Sequence, residues 1–373
     1  MPRILYFSRG YTTHDHRFLS ALAKTDHKVA FLQLERSGHT LEDRTLPPEI
    51  MQIPWVGGQS SAHIQDGPKL IAGLRKVIKE FAPDLIQAGP IQRSAFLVAL
   101  TGFRPLVTMS WGYDLLHDVH KGRAWEWATR FTLNRSAVMV GDCNTIRNLA
   151  IAYGMNPDRI VTFPWGANIE KYSPCEAKPK MVVRQRLGWD ANTFVLLSTR
   201  SWAPIYAVDD LAHAFVKAAR QHPELRLFLL GNGPLAPRIR QIIQDGGVME
   251  LVQFPGQISQ AKLPDFYRAA DLYISTSHSD GTSISLLESL ASGTPVLLSN
   301  IPGNKEWIRE SGEVGWLFED GDVDSLAAGI SYAAENRAQL YEMGRSARKL
   351  AEDRGDWRKN FPNLFKAYSI ALT

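Results

Sequence analysis

Short apolar runs bounded by turn residues alternate along the whole chain with stretches whose apolar residues recur every three to four positions. This is the pattern of parallel strands joined by crossover helices. In the first half the runs predict strands at RILYFS (3–8), KVAFLQL (28–34), DLIQAG (84–89), PLVTMSW (105–111) and AVMVGD (137–142). Helical periodicity falls at 14–24, 68–81 and 122–135, and RIVTFPWGANIEKYSP (159–174) closes the half. From about Met181 the alternation starts afresh, with strands predicted at 193–200, 225–231, 252–256, 271–276, 295–300 and 315–319. Two α/β units of similar size result, and the Pro-, Lys- and Glu-rich stretch from 171 to 184 is the candidate linker. No short repeat or low-complexity tract interrupts them.

Composition agrees with this division. At 373 residues the chain exceeds the size at which one core usually keeps growing, and 45% hydrophobic with 21% charged residues is ordinary for a globular protein. The N-terminal apolar run is too short for a signal peptide, and no run approaches the ~20 residues of a membrane span, which predicts a cytoplasmic protein. Cys143 and Cys175 are too few for a disulfide framework or a metal cluster and read as small packing residues. A net charge of +4 suits an anionic small ligand or an anionic membrane surface, and no nucleic-acid-binding motif is visible.

In open parallel sheets ligands bind beyond the carboxyl ends of strands, and two such domains facing each other build a cleft. Functional side chains are therefore expected just after strands. The stretch SHSDGTSISLLESLASGTPV (277–296) meets this filter: a strand ends before it, Asp280 lies in its loop, and Thr282 and Ser283 precede a helix that carries Glu288. The helix N-terminus, with the N–H groups of Gly281 and Thr282, suits a phosphate. Glu288 follows Asp280 by eight residues, about 12 Å along a helix axis, and a carboxylate can accept two hydrogen bonds from a vicinal diol. Two readings stand open: a helix cap with a solvated glutamate, or two carboxylates gripping the two ends of one phosphate-bearing ligand.

Further post-strand residues bear on the choice. Arg200 closes a strand, where a guanidinium can fork onto a diphosphate. Gly231 and Gly233 follow another strand and permit close backbone approach, although such glycines often only turn the chain. His14, Asp15 and His16 follow the first strand, either as a metal pair or as a loop capping the next helix. Asp209 and Asp210 sit at a helix start, where acids complement the dipole, and no metal site is predicted. Around Trp125 and Trp127, Lys121, Arg123, Arg130 and Arg135 give a helix that is either packed in a core or laid on a membrane surface.

The sites after residues 200, 231 and 280, followed by F-x-G (254–256), Y-x-x-A-D (267–271) and S-x-x-[acid]-x7-E-x4-G-x-P-V (277–296), resemble the retaining glycosyltransferases of family 4. PWGANIEKYSP (164–174) is similar to that family's domain junction, and DWRKNFPNLFKAY (356–368) to its terminal helix. The resemblance covers nearly the whole chain and implies the GT-B architecture, two Rossmann-like doubly wound parallel-sheet domains facing a central cleft. It implies an acceptor-side domain over 1–175, a nucleotide-sugar domain over 176–355 and a helix over 356–373 that crosses back. It implies metal-independent transfer, with retention, of a hexosyl unit from a nucleotide diphosphate sugar to a glycan or lipid-linked acceptor hydroxyl. UDP is expected over GDP and no cofactor is needed. By the resemblance Asp280 holds the transferred sugar, Glu288 the ribose, and Arg200 with the Gly281–Thr282 turn and Ser283 the diphosphate. Gly10, Gly231 and Gly233 line the donor.

Three departures stand out. Aspartate at 280 replaces the family's usual glutamate. Tyr206 occupies the place of the family's phosphate lysine, so neutralisation falls to Arg200 and helix N-termini. SWGYD puts Trp111 where the family has histidine, with Gly112 and Asp114 retained. His14, Asp15, Trp111 and Asp114 are then expected on the acceptor side. Rival readings are a nucleotide-sugar epimerase or isomerase on the same architecture, and a non-catalytic nucleotide-sugar-binding protein.

Overall fold

A computed structural model of the protein describes residues 2–36, 42, 44–174, 184–309 and 312–373. They form two compact units, Met1–Phe163 with Phe361–Thr373, and Pro164–Asn360. Cys175 and most of the expected linker lie outside the described residues.

The first unit holds a seven-stranded sheet: β1 (Arg3–Ser8), β2 (Lys28–Gln33), β3 (Met51–Gln52), β4 (Leu85–Gly89), β5 (Leu106–Met109), β6 (Val138–Gly141) and β7 (Ile160–Thr162). Their order is β3-β2-β1-β4-β5-β6-β7 and every pairing is parallel. The chain thus winds outward in one direction from β1, then starts again on its other side at β4. The helices are α1 (Thr13–Leu22), α2 (Gly67–Phe81), α3 (Phe96–Thr101), α4 (Tyr113–Leu116), α5 (Arg123–Arg135) and α6 (Asn144–Ala152). Amphipathic spacing explains how α2 sits: Leu70, Leu74, Val77 and Phe81 form its buried stripe and join Leu5, Phe7, Ala30 and Leu32 of the sheet.

The second unit repeats the design with six strands: β8 (Phe194–Ser198), β9 (Leu225–Leu230), β10 (Val252–Gly256), β11 (Leu272–Ser275), β12 (Val296–Ser299) and β13 (Gly315–Phe318). Their order is β10-β9-β8-β11-β12-β13, again all parallel. Strand alternation divides β8 between the two faces: Phe194 and Leu196 enter one core, Val195 and Leu197 the other. The helices are α7 (Val208–Ala219), α8 (Ala236–Asp245), α9 (Leu263–Ala269), α10 (Ile284–Ala291), α11 (Pro302–Lys305), α12 (Val323–Glu335), α13 (Arg337–Arg354) and α14 (Trp357–Asn360). The last helix, α15 (Asn363–Leu372), belongs to the first unit, where Phe365 stacks on His27 with ring centroids 5.5 Å apart.

Two expectations shift. Residues 164–174, assigned to the first domain from sequence, pack in the second unit. There Ala167 pairs in parallel with Asp356, Tyr172 meets Tyr267 edge-on at 5.7 Å, and the positive φ of Gly166 lets Trp357 backbone approach closely. Several strands also stop earlier than their apolar runs, so Trp111 and Arg200 stand in loops beyond β5 and β8. Of the residues just past the ends of β5 and β8 only Trp111 is apolar, and the side chains of Ser110, Thr199 and Arg200 bond to those of Asp114, Tyr267 and Asp280.

Candidate active site

In each sheet the winding reverses between two neighbouring strands, so the connections leaving their carboxyl ends run to opposite faces and leave a crevice there. In the second unit those strands are β8 and β11. Arg200 lies just past β8 and Asp280 just past β11, and they are ion-paired, Nη2 to Oδ2, at 2.6 Å. Residues far apart in sequence therefore meet where the topology opens a ligand crevice.

Arg200 is held on several sides. Its Nη1 donates to Ser283 Oγ at 2.7 Å and to Ser285 Oγ at 3.2 Å. The ring of Tyr206 lies under the guanidinium, 4.2 Å from centroid to Cζ. Burial lowers the pKa of this side chain, but the Asp280 carboxylate, with Tyr206, Tyr273 and Tyr267, outweighs it and holds the pKa above its ordinary value. The remaining donor, Nε–H, is buried without a hydrogen-bond partner. Such a donor is costly unless something accepts from it.

The Asp280 loop is anchored by its backbone. His278 N donates to Ile205 O at 3.0 Å, Thr276 Oγ1 to Tyr206 O at 2.8 Å and Ser299 Oγ to Ser277 O at 2.6 Å. Gly303 of α11 passes so close that a Cβ there would stand 2.4 Å from Gly281 O and 2.5 Å from Asp280 O. The cap of α10 is Ser283, which removes the reading of Asp280 as an N-cap. Thr282 is buried and its hydroxyl accepts from Trp307 Nε1 at 3.3 Å, so its side chain faces the core while its backbone shapes the turn.

Glu288 is only 5% exposed, which removes the alternative of a solvated helix glutamate. The phenol of Tyr267, itself fully buried, lies 3.1 Å from Glu288 Oε2. Asp280 and Glu288 thus mark the mouth and the depth of the same helix.

Gly231 and Gly233 have a use within the fold itself. A Cβ on Gly231, whose φ is +98°, would meet Arg200 O at 2.9 Å, and one on Gly233 would meet Trp202 O at 2.6 Å. Their missing side chains let the loop after β9 press on the backbone of the Arg200 loop, where Trp202 N donates to Asn232 O at 3.1 Å.

In the first unit, Gly10 lies in the loop between β1 and α1. His14 packs against Trp111, with ring centroids 5.2 Å apart, so two of the acceptor-side candidates are neighbours. The two aspartates turn inward. Asp15 has no exposed surface: it completes a capping box with Thr12 and accepts from Tyr6 Oη at 3.0 Å. Burial raises its pKa against the opposing hydrogen bonds from Thr12, Ser8 and Tyr6. Asp114, also fully buried, accepts from Ser110 Oγ at 2.5 Å and from the amides of Ile91, Trp111 and Leu115, and burial carries its pKa up to about 6. Both carboxylates shape the loops that carry His14 and Trp111, and direct contact with an acceptor is closed to them.

His16 is engaged with Tyr11 Oη at 2.7 Å, and Asp209 with Arg238 at 3.2 Å. Among the described residues no three His, Cys, Asp or Glu side chains converge as metal ligands, and no helix is long and apolar enough to cross a membrane. Sequence reasoning missed Tyr267, Ser285 and Gly303. Tyr267 carried a signal as the first residue of Y-x-x-A-D, whereas Ser285 and Gly303 become visible only once the loops are folded.

The family model for glycosyl transferases group 1 matches residues 180–350, and that for a glycosyl transferase 4-like domain matches 9–166. The chain belongs to this glycosyltransferase family. It is 29% identical over 288 residues to the D-inositol 3-phosphate glycosyltransferase of Thermobispora bispora, a match that takes in 70% of this chain and 66%, just under two thirds, of that protein. Its fold is that of HepE from Anabaena solved with UDP-glucose, at a TM-score of 0.79 and 20% identity over 99% of this chain and 100% of that one. It is also that of the sucrose-phosphate synthase of Thermosynechococcus elongatus, at a TM-score of 0.82 and 16% identity over 99% and 98%. The expected GT-B fold, with two Rossmann-like parallel-sheet domains, is the fold found.

Proposed function

We propose that this protein transfers a hexosyl unit from a nucleotide diphosphate sugar to an acceptor hydroxyl, with retention at the anomeric carbon. The observation that carries the reading is Arg200: a buried guanidinium at the switch point of the second sheet, stacked on Tyr206, paired with Asp280 and keeping one buried N–H without an acceptor. A diphosphate oxygen is the natural acceptor for that donor. In this reading Arg200 and the N–H groups of the Gly281–Thr282 turn take up the charge that grows on the leaving diphosphate, the term that usually dominates such catalysis. Asp280 receives hydroxyls of the transferred sugar, and Glu288 the ribose diol. The bond between the anomeric carbon and the phosphate oxygen breaks as the acceptor oxygen bonds to the same face, and the acceptor's proton passes to that departing oxygen. Positive charge from the chain itself does the work of a metal ion, so transfer continues in EDTA.

UDP is the expected carrier, in keeping with the UDP-glucose bound to the structurally similar HepE. The acceptor is a glycan or a lipid-linked polyol; an inositol phosphate is the first to try, given the named activity of the Thermobispora relative. A lipid-linked acceptor also fits α5, a cytoplasmic enzyme's peripheral membrane contact. Trp127 is 54% exposed on this helix beside Phe131, and Lys121 and Arg93 flank the ring of Trp125. Flotation with anionic liposomes that is lost in W125A/W127A supports the contact, and absence of flotation in the wild type removes it.

The reaction is tested by incubating the protein with UDP- and GDP-sugars plus candidate acceptors and following anomeric protons by NMR. Free nucleotide with a glycoside of unchanged anomeric configuration is expected. An isomerised sugar without acceptor would establish the epimerase reading, and binding without turnover the silent one.

A further inference from the structure

Tyr267 is the first residue of the Y-x-x-A-D block, and nothing in the chemistry of transfer calls for a phenol there. It stands in α9 with no exposed surface, so it touches no ligand. Its hydroxyl lies 3.1 Å from Glu288 Oε2, 3.2 Å from Ser285 O and 3.2 Å from Thr199 Oγ1. The phenol has one proton to give. A charge-assisted bond to a carboxylate is about twice as strong as one to a neutral carbonyl, so the proton goes to Glu288. The phenol oxygen then accepts from Thr199. Burial, and after it the Glu288 charge, raises the Tyr267 pKa well above its ordinary value, so the proton stays on the phenol. Thr199 is the residue before Arg200. Two hydroxyls therefore tie the strand end that carries the arginine to the carboxylate inside α10.

We infer that Tyr267 is a positioning residue for Glu288: with Thr199 it fixes the carboxylate in the orientation that reads the ribose diol, in register with Arg200. This rests on the assignment of Glu288 to the ribose made above. Without the bond, Glu288 remains in the helix but turns among rotamers, and the preference for an intact ribose declines while contacts to base and diphosphate persist.

The test compares affinity for UDP with that for 2′,3′-dideoxy-UDP, by calorimetry on the full chain, in wild type, Y267F, T199V and E288Q. GDP and its dideoxy analogue are run in parallel. The wild type is expected to favour the nucleotide that carries both hydroxyls by about tenfold or more. E288Q should lose most of that preference. Y267F should narrow it by about fivefold or more with its affinity for the dideoxy analogue within about twofold of wild type, and T199V should narrow it less. A purely structural role for Tyr267 lowers affinity for both nucleotides alike and leaves the ratio untouched, and that result overturns the assignment. Equal binding of the two nucleotides by the wild type, or no binding of any, overturns the ribose reading itself. Should Y267F fail to fold, T199V carries the test, and an unchanged ratio in T199V counts against the assignment.

Discussion

Arg200 Nη2 and Asp280 Oδ2, from residues 80 apart in sequence, stand 2.6 Å apart and join the loops that follow β8 and β11. The side chain expected to meet a diphosphate is thus already neutralised by the side chain expected to meet the sugar. On the function proposed above, an incoming diphosphate competes with Asp280 for the guanidinium, and the displaced carboxylate becomes available to sugar hydroxyls.

One consequence is an inverse effect on binding and turnover. D280N removes the competing charge, so UDP alone should bind about three- to tenfold tighter than to wild type while transfer falls about a hundredfold or more. R200A should lose both. Titration calorimetry with UDP alongside initial rates checks this, and weaker UDP binding by D280N would contradict the competition.

Tyr206 acts through its ring. The ring lies under Arg200 Cζ, a contact that needs the aromatic face and no hydroxyl. Y206F should keep UDP affinity within about twofold of wild type, whereas Y206A should weaken it by about two- to thirtyfold, the range of a cation–π contact. Equal losses in both variants would mean that the hydroxyl is the contributing group.

Gly303 supports the Asp280 loop from beneath. A methyl group placed 2.4 Å from Gly281 O and 2.5 Å from Asp280 O forces backbone to move. G303A should cost about 1–3 kcal/mol of stability and lower the transfer rate further than UDP affinity, because Asp280 shifts more than Arg200 does. Thermal melts and steady-state rates report the two effects separately.

Asp114 gives the first unit a pH dependence of definite sign. Its pKa is about 6 when folded, raised above the ordinary value by burial, so between about pH 4 and 6 the folded chain keeps a proton that the unfolded chain releases. Stability contributed by this group is full below about pH 4 and is lost as pH rises through about 6, by at most about 3 kcal/mol. A carboxyl-carbon NMR titration should place its midpoint near 6, and the stability difference between wild type and D114N should change across the same window. A midpoint near 4 would contradict the assignment.

Much of this was legible from the chain. Both sheets could be read because a strand buried on both faces is a continuous apolar run, and RILYFS and FVLLS are such runs. Arg200 and Asp280 were found because a polar residue just after such a run lies where parallel sheets bind ligands, and Glu288 because it follows Asp280 by eight residues along the next helix. Strand ends were less legible: Trp111 and Arg200 continue directly from the runs of β5 and β8, and only the folded ladder shows where pairing stops. The two-residue β3, the three-residue β7 and the short helices α3 and α4 are too brief to show a period. The direction a side chain takes was least legible of all. Asp114 looks like an exposed loop acid in sequence, and only the fold shows it turned inward to satisfy backbone and hydroxyl donors, whereas Asp15 takes the helix-capping role that was one of its two readings. The Arg200–Asp280 pair and the Thr199–Tyr267–Glu288 chain depend on contacts across many tens of residues, which no local pattern records.

The most direct test of the whole account is a crystal structure of the protein with UDP bound. The pyrophosphate should lie at the mouth of α10, with an oxygen accepting from Arg200 Nε and the ribose hydroxyls on Glu288. A pyrophosphate bound elsewhere, with Arg200 still closed on Asp280, would contradict it.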